Sequence, residues 1–254
     1  MSIYDTKQKR AESLYKSGRA YPGILKFLDI VYPPRCPFCG NITNQKICDL
    51  CKMKIHYIKE PRCMKCGKPV ETMEQEYCQD CAKQKHIFDQ GRGLWIQKQP
   101  VSRGIYQFKF HNKRYYASVF AEEMMKRYEE WIYRNEIEEI IPIPLYKAKQ
   151  RKRGFNQALL IAKELSILSG IPVNENAVFR IRNTKPQKIL NPMERSRNLK
   201  GAFGVKKTWE VKNKVLLIDD IYTTGSTMDR VAKVLKKAGT QKVYFLTISI
   251  GQGL

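Results

Sequence analysis

The eight cysteines constrain this chain more than any other feature, because they fall in four Cys-x-x-Cys pairs before residue 82. Two cysteines at this spacing can turn both sulfurs onto one ion, and a second pair completes a tetrahedral shell. Four thiolates close such a shell and leave no position for a catalytic water, which favours structural zinc. The simplest assignment is two zinc ribbons in sequence, one holding its ion with Cys36, Cys39, Cys48 and Cys51 and the other with Cys63, Cys66, Cys78 and Cys81.

Two alternatives to sequential ribbons remain open. A crossed arrangement would join the first pair to the third and the second to the fourth. Disulfides are the other alternative, although a cytosolic chain with every cysteine in such a pair fits metal better. A segment this short, with few large apolar side chains, needs metal to hold itself together. We therefore expect a double zinc ribbon over residues 35–87, after an N-terminal extension and short helix in residues 1–34 and before a larger domain over residues 88–254.

Composition narrows the class of protein. With 254 residues, of which 43% are hydrophobic, the chain can form one sizeable core beside a small module. Its apolar runs are shorter than the ~20 residues of a membrane span, and its first residues lack the apolar stretch of a secretory signal. We therefore expect a cytoplasmic protein that is not integral to the membrane.

The net charge of +23 is unevenly distributed, since residues 141–214 hold 17 Lys and Arg against 4 Asp and Glu. Such a field favours polyanions, which include phosphorylated small molecules, nucleic acid and anionic lipid. A solvated basic surface kept for solubility is the alternative interpretation.

The second half of the chain alternates predicted strands and helices, which is typical of a parallel sheet with helices on both faces. We expect strands at GLWIQ and GIYQFKF, paired with each other, and further strands at EIIPIP, AVFRI, KVLLID and KVYFLTISI. Helices are expected at residues 113–134, at GFNQALLIAKELSILSG, which Gly170 ends, and at Ser226–Ala238, which Gly239 ends. A polar loop is expected over residues 182–200.

The stretch VLLIDDIYTTGSTMD, residues 215–229, places two carboxylates after a buried strand and a hydroxyl-rich loop before a helix. Ligands of open parallel sheets collect at this strand end. The loop can surround a phosphate with hydroxyls and backbone N–H groups, whereas Asp219 and Asp220 would repel phosphate and suit the hydroxyls of a sugar. The pattern indicates a pentose 5-phosphate. The loop residues are Thr223, Thr224, Gly225, Ser226 and Thr227.

Two other interpretations explain this stretch less well. A strand ending in two acids also resembles the magnesium-binding strand of P-loop ATPases, but the chain has no G-x-x-x-x-G-K-[ST] partner. A helix N-cap explains one hydroxyl and leaves the other loop positions and the two acids unexplained.

The segment VLLIDDIYTTGST resembles the phosphoribosyl pyrophosphate (PRPP) signature of type I phosphoribosyltransferases at all thirteen positions. The wider chain, over residues 24–250, resembles the ComF (competence protein F) family in LDIVYPPRCPFCG, the paired cysteines, IPIPLYKAKQRKRGFNQA and RNLKGAF. The resemblance implies an α/β, parallel-sheet type I phosphoribosyltransferase fold preceded by a small four-cysteine zinc-ribbon module. It also implies that Asp219 and Asp220 contact the ribose hydroxyls, that residues 223–227 hold the 5-phosphate, and that Mg²⁺ binds the pyrophosphate.

The resemblance carries functional expectations as well. The family is linked to DNA uptake in natural transformation, so a PRPP-binding, phosphoribosyltransferase-like competence protein that handles single-stranded DNA is implied. PRPP or ribose 5-phosphate, single-stranded DNA and a DNA-uptake helicase or membrane-channel protein are the implied partners, with a peripheral location at the inner face of the membrane. The alternative is an active phosphoribosyltransferase that transfers ribose 5-phosphate from PRPP to a nitrogen nucleophile in nucleotide metabolism.

Basic segments supply the remaining candidate residues. Arg153, Asn156 and Gln157 follow the EIIPIP strand at the expected ligand edge and are predicted to contact pyrophosphate or a DNA phosphate. The resemblance places the 180–200 segment where enzymes of this fold have a mobile lid, and its cations would neutralise the departing pyrophosphate. These cations are Lys185, Arg195 and Arg197.

Tyr146 and Phe155 are candidates for base stacking. His56, His86 and His111 are expected to be surface or packing residues.

Overall fold

A computed structural model describes residues 33–181 and 201–251. Most of the short helix predicted before the cysteines, and most of the lid predicted over residues 180–200, lie outside the described residues. The helices are α1 (Asp49–Lys54), α2 (Gln79–Lys83), α3 (Val101–Phe110), α4 (Tyr116–Arg134), α5 (Lys147–Arg153), α6 (Gln157–Ser169) and α7 (Ser226–Ala238). The strands are β1 (Gln90–Ile96), β2 (Glu139–Pro142), β3 (Val178–Arg180), β4 (Phe203–Val205), β5 (Lys214–Tyr222) and β6 (Lys242–Ile250).

The main sheet has the strand order β1-β6-β5-β2, and every neighbouring pair is parallel. The apolar runs of β5 and β6 lie at its centre and are buried, as expected for parallel strands covered on both faces. Asp219 of β5 lies opposite Thr247 of β6, close to the carboxyl ends of both strands. The predicted α/β class with a parallel sheet is confirmed.

Two apolar cores cover the two faces of this sheet. Because successive side chains of a strand point to opposite faces, Leu216 and Ile218 pack with α4 and α6, whereas Val215 and Leu217 pack with α7. The glycines predicted to end α6 and α7, Gly170 and Gly239, do follow the last helical residues.

The segment GIYQFKF forms helix α3, so the prediction of a strand was wrong. Alternating aromatic and polar residues gave this short segment a period of two, but the structure buries Val101, Ile105 and Phe108 at helical spacing. Gly104 faces the same core, where a Cβ atom would lie 2.6 Å from the ring of Phe38. The predicted pairing of this segment with β1 was also wrong, because β1 pairs with β6.

The AVFRI segment lies outside the main sheet. Its strand β3 pairs antiparallel with β4, which the sequence pattern did not predict. These two strands flank residues 182–200 in the chain and form a separate hairpin. Along the described stretches of the chain, the helices lack the combination of length and apolar character that crossing a bilayer requires.

Candidate functional site

The cysteines form two compact groups within the described residues. The sulfurs of each group lie within 4.8 Å of one another, and each group joins two successive Cys-x-x-Cys pairs. This grouping supports the sequential assignment over the crossed one, and all eight cysteines are free of disulfides. Four convergent thiols match the donor set of structural zinc. The groups are Cys36, Cys39, Cys48 and Cys51, and Cys63, Cys66, Cys78 and Cys81.

Each group has the same local architecture. The first pair sits on a knuckle whose following glycine has a positive φ, at Gly40 and Gly67, and the second pair sits at the start of a short helix. Gly67 is pressed against strand β1, where a Cβ atom would lie 2.7 Å from the carbonyl oxygen of Gly91. The second knuckle therefore needs glycine both for its φ angle and for its close contact with the sheet.

The two ribbons pack on opposite faces of the sheet. The ring of Phe38 in the first ribbon lies 5.3 Å from that of Trp95, in the core shared with α4 and α6. Cys63 and Cys66 of the second ribbon are buried in the other core, together with Tyr222. Each ribbon thus shares its apolar core with the sheet, and the boundary at residues 87/88 stays a prediction.

Asp219 and Asp220 lie inside strand β5, which continues to Tyr222 and does not end at the acids. Being adjacent in a strand, they point to opposite faces. The Asp220 carboxylate is buried, accepts a hydrogen bond of 2.9 Å from Gln157 Nε2 and forms a 2.7 Å ion pair with Lys109 Nζ. The carboxylate of Asp219 accepts the Asp220 backbone N–H at 2.8 Å.

The environment of Asp219 favours its neutral form. Withdrawal from solvent, together with the negative charge of Asp220, raises the pKa of Asp219 to about 8. The Asp220 N–H and the charges of Lys109 and Arg180 act in the opposite direction. Asp219 therefore differs from Asp220, whose carboxylate already has a cation in direct contact.

The hydroxyl-rich loop follows β5 and leads into α7. Asp219 lines a small cleft together with loop residues Thr223, Gly225, Ser226 and Thr227, so the structure brings this acid and the loop together. Thr224 Oγ1 and Ser226 Oγ lie 3.0 Å apart. The helix dipole and the backbone N–H groups at the start of α7 favour negative charge in this cleft.

Gly225 packs tightly against the protein beneath the loop. Its φ is +78°, and a Cβ atom there would lie 2.8 Å from both His86 Cε1 and Tyr222 Oη. His86 Nδ1 lies 2.8 Å from Asp229 Oδ2, and its ring stacks on Phe88 at 4.7 Å. His86 is a packing residue, as expected, but no sequence pattern indicated that it supports the loop from the segment leaving the second ribbon.

Of the residues predicted after β2, Gln157 and Arg153 approach the acids. Gln157 contacts Asp220, and the charge of Arg153 acts on both carboxylates, although burial lowers the Arg153 pKa. Asn156 serves the fold: its Oδ1 accepts the Ala158 N–H at 3.1 Å, and its Nδ2 donates to the carbonyl of Ile143 at 3.0 Å. The first bond caps α6, the second joins the start of this helix to the segment after β2, and a ligand contact by Asn156 stays a prediction.

The structure adds Lys109 and Arg180 to the site. Lys109 was missed because its segment was predicted as a strand, in which the direction of its side chain differs. Arg180, on β3, is largely buried, which lowers its pKa, and it interacts electrostatically with Asp219.

Phe155 is buried between Phe108 and the guanidinium of Arg114, so the prediction that it stacks on bases was wrong. Lys185, Arg195 and Arg197 lie outside the described residues.

Comparison with known proteins identifies the ribbon region and the family of this chain. A double zinc ribbon domain matches residues 27–82. The chain is 33% identical to competence protein F of Haemophilus influenzae over 217 residues, which are 82% of this chain and 93% of that protein. The chain belongs to the competence protein F family.

Other members of the competence protein F family and related proteins show similar coverage. Competence protein ComFC of Bacillus subtilis is 27% identical over 77% of this chain and 80% of its own length. The DNA utilization protein YhgH of Escherichia coli K12 is 28% identical over 84% of this chain and 96% of its own. Among solved structures, a purine phosphoribosyltransferase from Pyrococcus horikoshii aligns with a TM-score of 0.32 and 16% identity over 52% of this chain and 82% of that one.

Proposed function

We propose that this member of the competence protein F family binds PRPP at the carboxyl edge of its sheet and handles single-stranded DNA during DNA uptake. One observation carries the PRPP proposal: Asp219 and the loop of residues 223–227 line a common cleft. The loop and the start of α7 suit the 5-phosphate. The neighbouring acid suits a hydroxyl of the ribose, because a carboxyl group accepts and, when protonated, also donates hydrogen bonds.

The two acids have different roles in this proposal. Asp219 faces the cleft and contacts the ribose directly. Asp220 is already held by Lys109 and Gln157, so it fixes the position of these two side chains at the edge of the site. Lys109, Arg153 and Arg180 then supply positive charge around the pyrophosphate, and the predicted lid residues Lys185, Arg195 and Arg197 would add to it.

Magnesium fits the donor chemistry of this edge. Mg²⁺ prefers oxygen ligands and is commonly held by one or two carboxylates together with substrate phosphates. Asp219 is the carboxyl group that faces the cleft; the charge of a bound ion would favour its ionised form, which would hold the ion directly or through water. Bound there, Mg²⁺ would neutralise part of the pyrophosphate charge.

An active phosphoribosyltransferase is the second candidate function, and the retained acids and surrounding cations favour it. In that reaction a nitrogen nucleophile attacks C1 of the ribose, and the bond from C1 to the pyrophosphate oxygen breaks. The electron pair leaves with the pyrophosphate, whose growing charge Lys109 and Arg153 would stabilise. A pyrophosphate-release assay with a panel of nitrogen nucleophiles, with and without single-stranded DNA, tests for turnover.

Charge and family membership support the DNA part of the proposal. Residues 141–214 carry most of the excess positive charge, and the relatives are named for competence and for DNA utilization. Binding to DNA phosphates should weaken as salt rises. A cytoplasmic location, peripheral to the membrane and close to a DNA-uptake helicase or channel protein, belongs to the same proposal.

Changing four basic residues to Ala should flatten the salt dependence of binding to single-stranded DNA. An unaltered slope would show that the DNA site lies elsewhere on the protein. The four residues are Lys152, Arg153, Arg195 and Arg197.

Calorimetric titration with PRPP and Mg²⁺ tests the central site. The double variant Asp219→Asn with Asp220→Asn should lose PRPP binding, because it removes both carboxylates of the site. Asp49→Asn, an exposed acid on α1, is the control and should bind as the parent protein does. Parent-like affinity in the double variant would remove the ribose assignment.

A further inference from the structure

Helix α3 presents an exposed pair of aromatic rings on the face opposite its core contacts. The side chains of Tyr106 and Phe110 are 55% and 59% exposed, and their ring centroids lie 5.0 Å apart. They are neighbours because residues four apart share a helix face, whereas Ile105 and Phe108 point into the core. The two rings contact each other, and more than half of the surface of each residue stays exposed to solvent.

Cations lie on both sides of this pair. At one end, the guanidinium of Arg153 lies 5.0 Å from the Phe110 ring centroid. At the other end, Arg103 shares the helix face of Tyr106 and lines a groove of about 410 Å³ between α3 and the first zinc knuckle. Arg35 and Lys113 line the same groove, and the described residues around it include no acid.

Exposed aromatic rings interleaved with cations match one ligand chemistry. Unpaired bases stack on aromatic faces while a basic groove follows the phosphates. Duplex DNA does not fit, because its bases are already stacked on one another. A protein partner would bury the rings against apolar surroundings, whereas here the neighbouring side chains are Arg103, Arg153 and the ring of His111, which lies 5.5 Å from Tyr106.

We propose that the exposed face of α3, from Arg103 through Tyr106 to Phe110, is a binding site for single-stranded DNA whose bases stack on the two rings. This inference rests on the proposed handling of DNA and assigns it a site. The face from Arg103 to Phe110 spans roughly 10 Å. At about 3.4 Å per nucleotide, it accommodates about three nucleotides. The neighbouring residue Lys109 contacts Asp220, so the bound strand passes the mouth of the PRPP site.

The test measures anisotropy of a fluorescent twelve-residue oligothymidylate with the full chain. Tyr106→Ala and Phe110→Ala should each lower affinity by about 5- to 150-fold, the range that base stacking supports. The salt slope should stay unchanged, because no phosphate contact is lost. Arg103→Ala should reduce that slope by about one. Tyr77→Ala, an exposed aromatic residue on the second ribbon, is the matched control and should have no effect.

A second pair of variants separates stacking from apolar docking. Tyr106→Leu and Phe110→Leu keep apolar surface and lose the ring, so they should weaken binding as the Ala variants do. Parent-like affinity in the Leu variants would overturn the stacking site. Parent-like affinity in the Ala variants would do the same while leaving DNA handling intact. If the parent protein binds no oligothymidylate, the DNA part of the proposed function fails as well. Circular dichroism and zinc content confirm that each variant is folded.

Discussion

Replacing Gly225 by Ala tests the packing beneath the loop. Any Cβ at φ +78° costs about 1–2 kcal/mol. At this position the new methyl also meets His86 and Tyr222 at 2.8 Å. Both rings are buried: His86 is held by Asp229, and Tyr222 stacks on Phe245 at 4.7 Å. Overpacking of this kind typically adds about 1–3 kcal/mol. We expect a total loss of about 2–5 kcal/mol in the free energy of unfolding.

Gly170→Ala provides a matched control. Gly170 has a similar φ of +74°, it also adjoins a helix end, and nothing lies within 4 Å of the Cβ position. This variant should lose only the backbone contribution of about 1–2 kcal/mol. Urea unfolding measures both losses, and calorimetry measures PRPP affinity, which should fall at least about tenfold only in Gly225→Ala. Equal stability losses in the two variants would show that His86 and Tyr222 do not crowd the new methyl group, and parent-like PRPP affinity in Gly225→Ala would show that the loop does not bind PRPP.

Three further predictions concern the metal sites and the acids. Elemental analysis should find about two zinc ions per chain and about one after Cys39→Ser or Cys81→Ser, and two in either variant would contradict separate sites. Lys109→Met should lower the free energy of unfolding, measured in urea, by about 3 kcal/mol because it leaves Asp220 buried without its cation. The double variant with Asp220→Asn should recover part of this loss. Folding raises the pKa of Asp219 from 3.8 to about 8. At pH values between about 4 and 8 the folded state therefore binds more protons than the unfolded state does. The stability of the parent relative to Asp219→Asn should therefore fall as pH rises from 4 to 8, and a constant difference in urea unfolding would contradict the raised pKa.

Spacing within the sequence was enough to predict features that depend on local chemistry. The Cys-x-x-Cys pairs indicated two zinc ribbons because the knuckle and the following helix turn each place two sulfurs together. Helices α6 and α7 were predicted with their C-terminal glycines, because long apolar periodicity and a following Gly report on local structure. The loop after β5 was predicted beside Asp219 because both belong to one strand–turn–helix unit.

Features that depend on tertiary contacts were missed. Helix α3 is only ten residues long, and its alternating aromatic residues fit a strand until the contact of Gly104 with Phe38 is known. The ion pair of Lys109 with Asp220 joins residues more than 100 positions apart and depends on that helix. Arg180 reaches the site from a hairpin that only the pairing of β3 with β4 reveals. Phe155 carries no local sign that distinguishes a buried ring from an exposed one.

Crystals of the full chain soaked with ribose 5-phosphate test the proposed PRPP site. We expect the phosphate to lie against the backbone N–H groups of residues 223–227 and a ribose hydroxyl to lie within about 3 Å of the Asp219 carboxyl group. A sugar phosphate bound elsewhere on the protein, with this cleft empty, would show that the cleft is not the PRPP site.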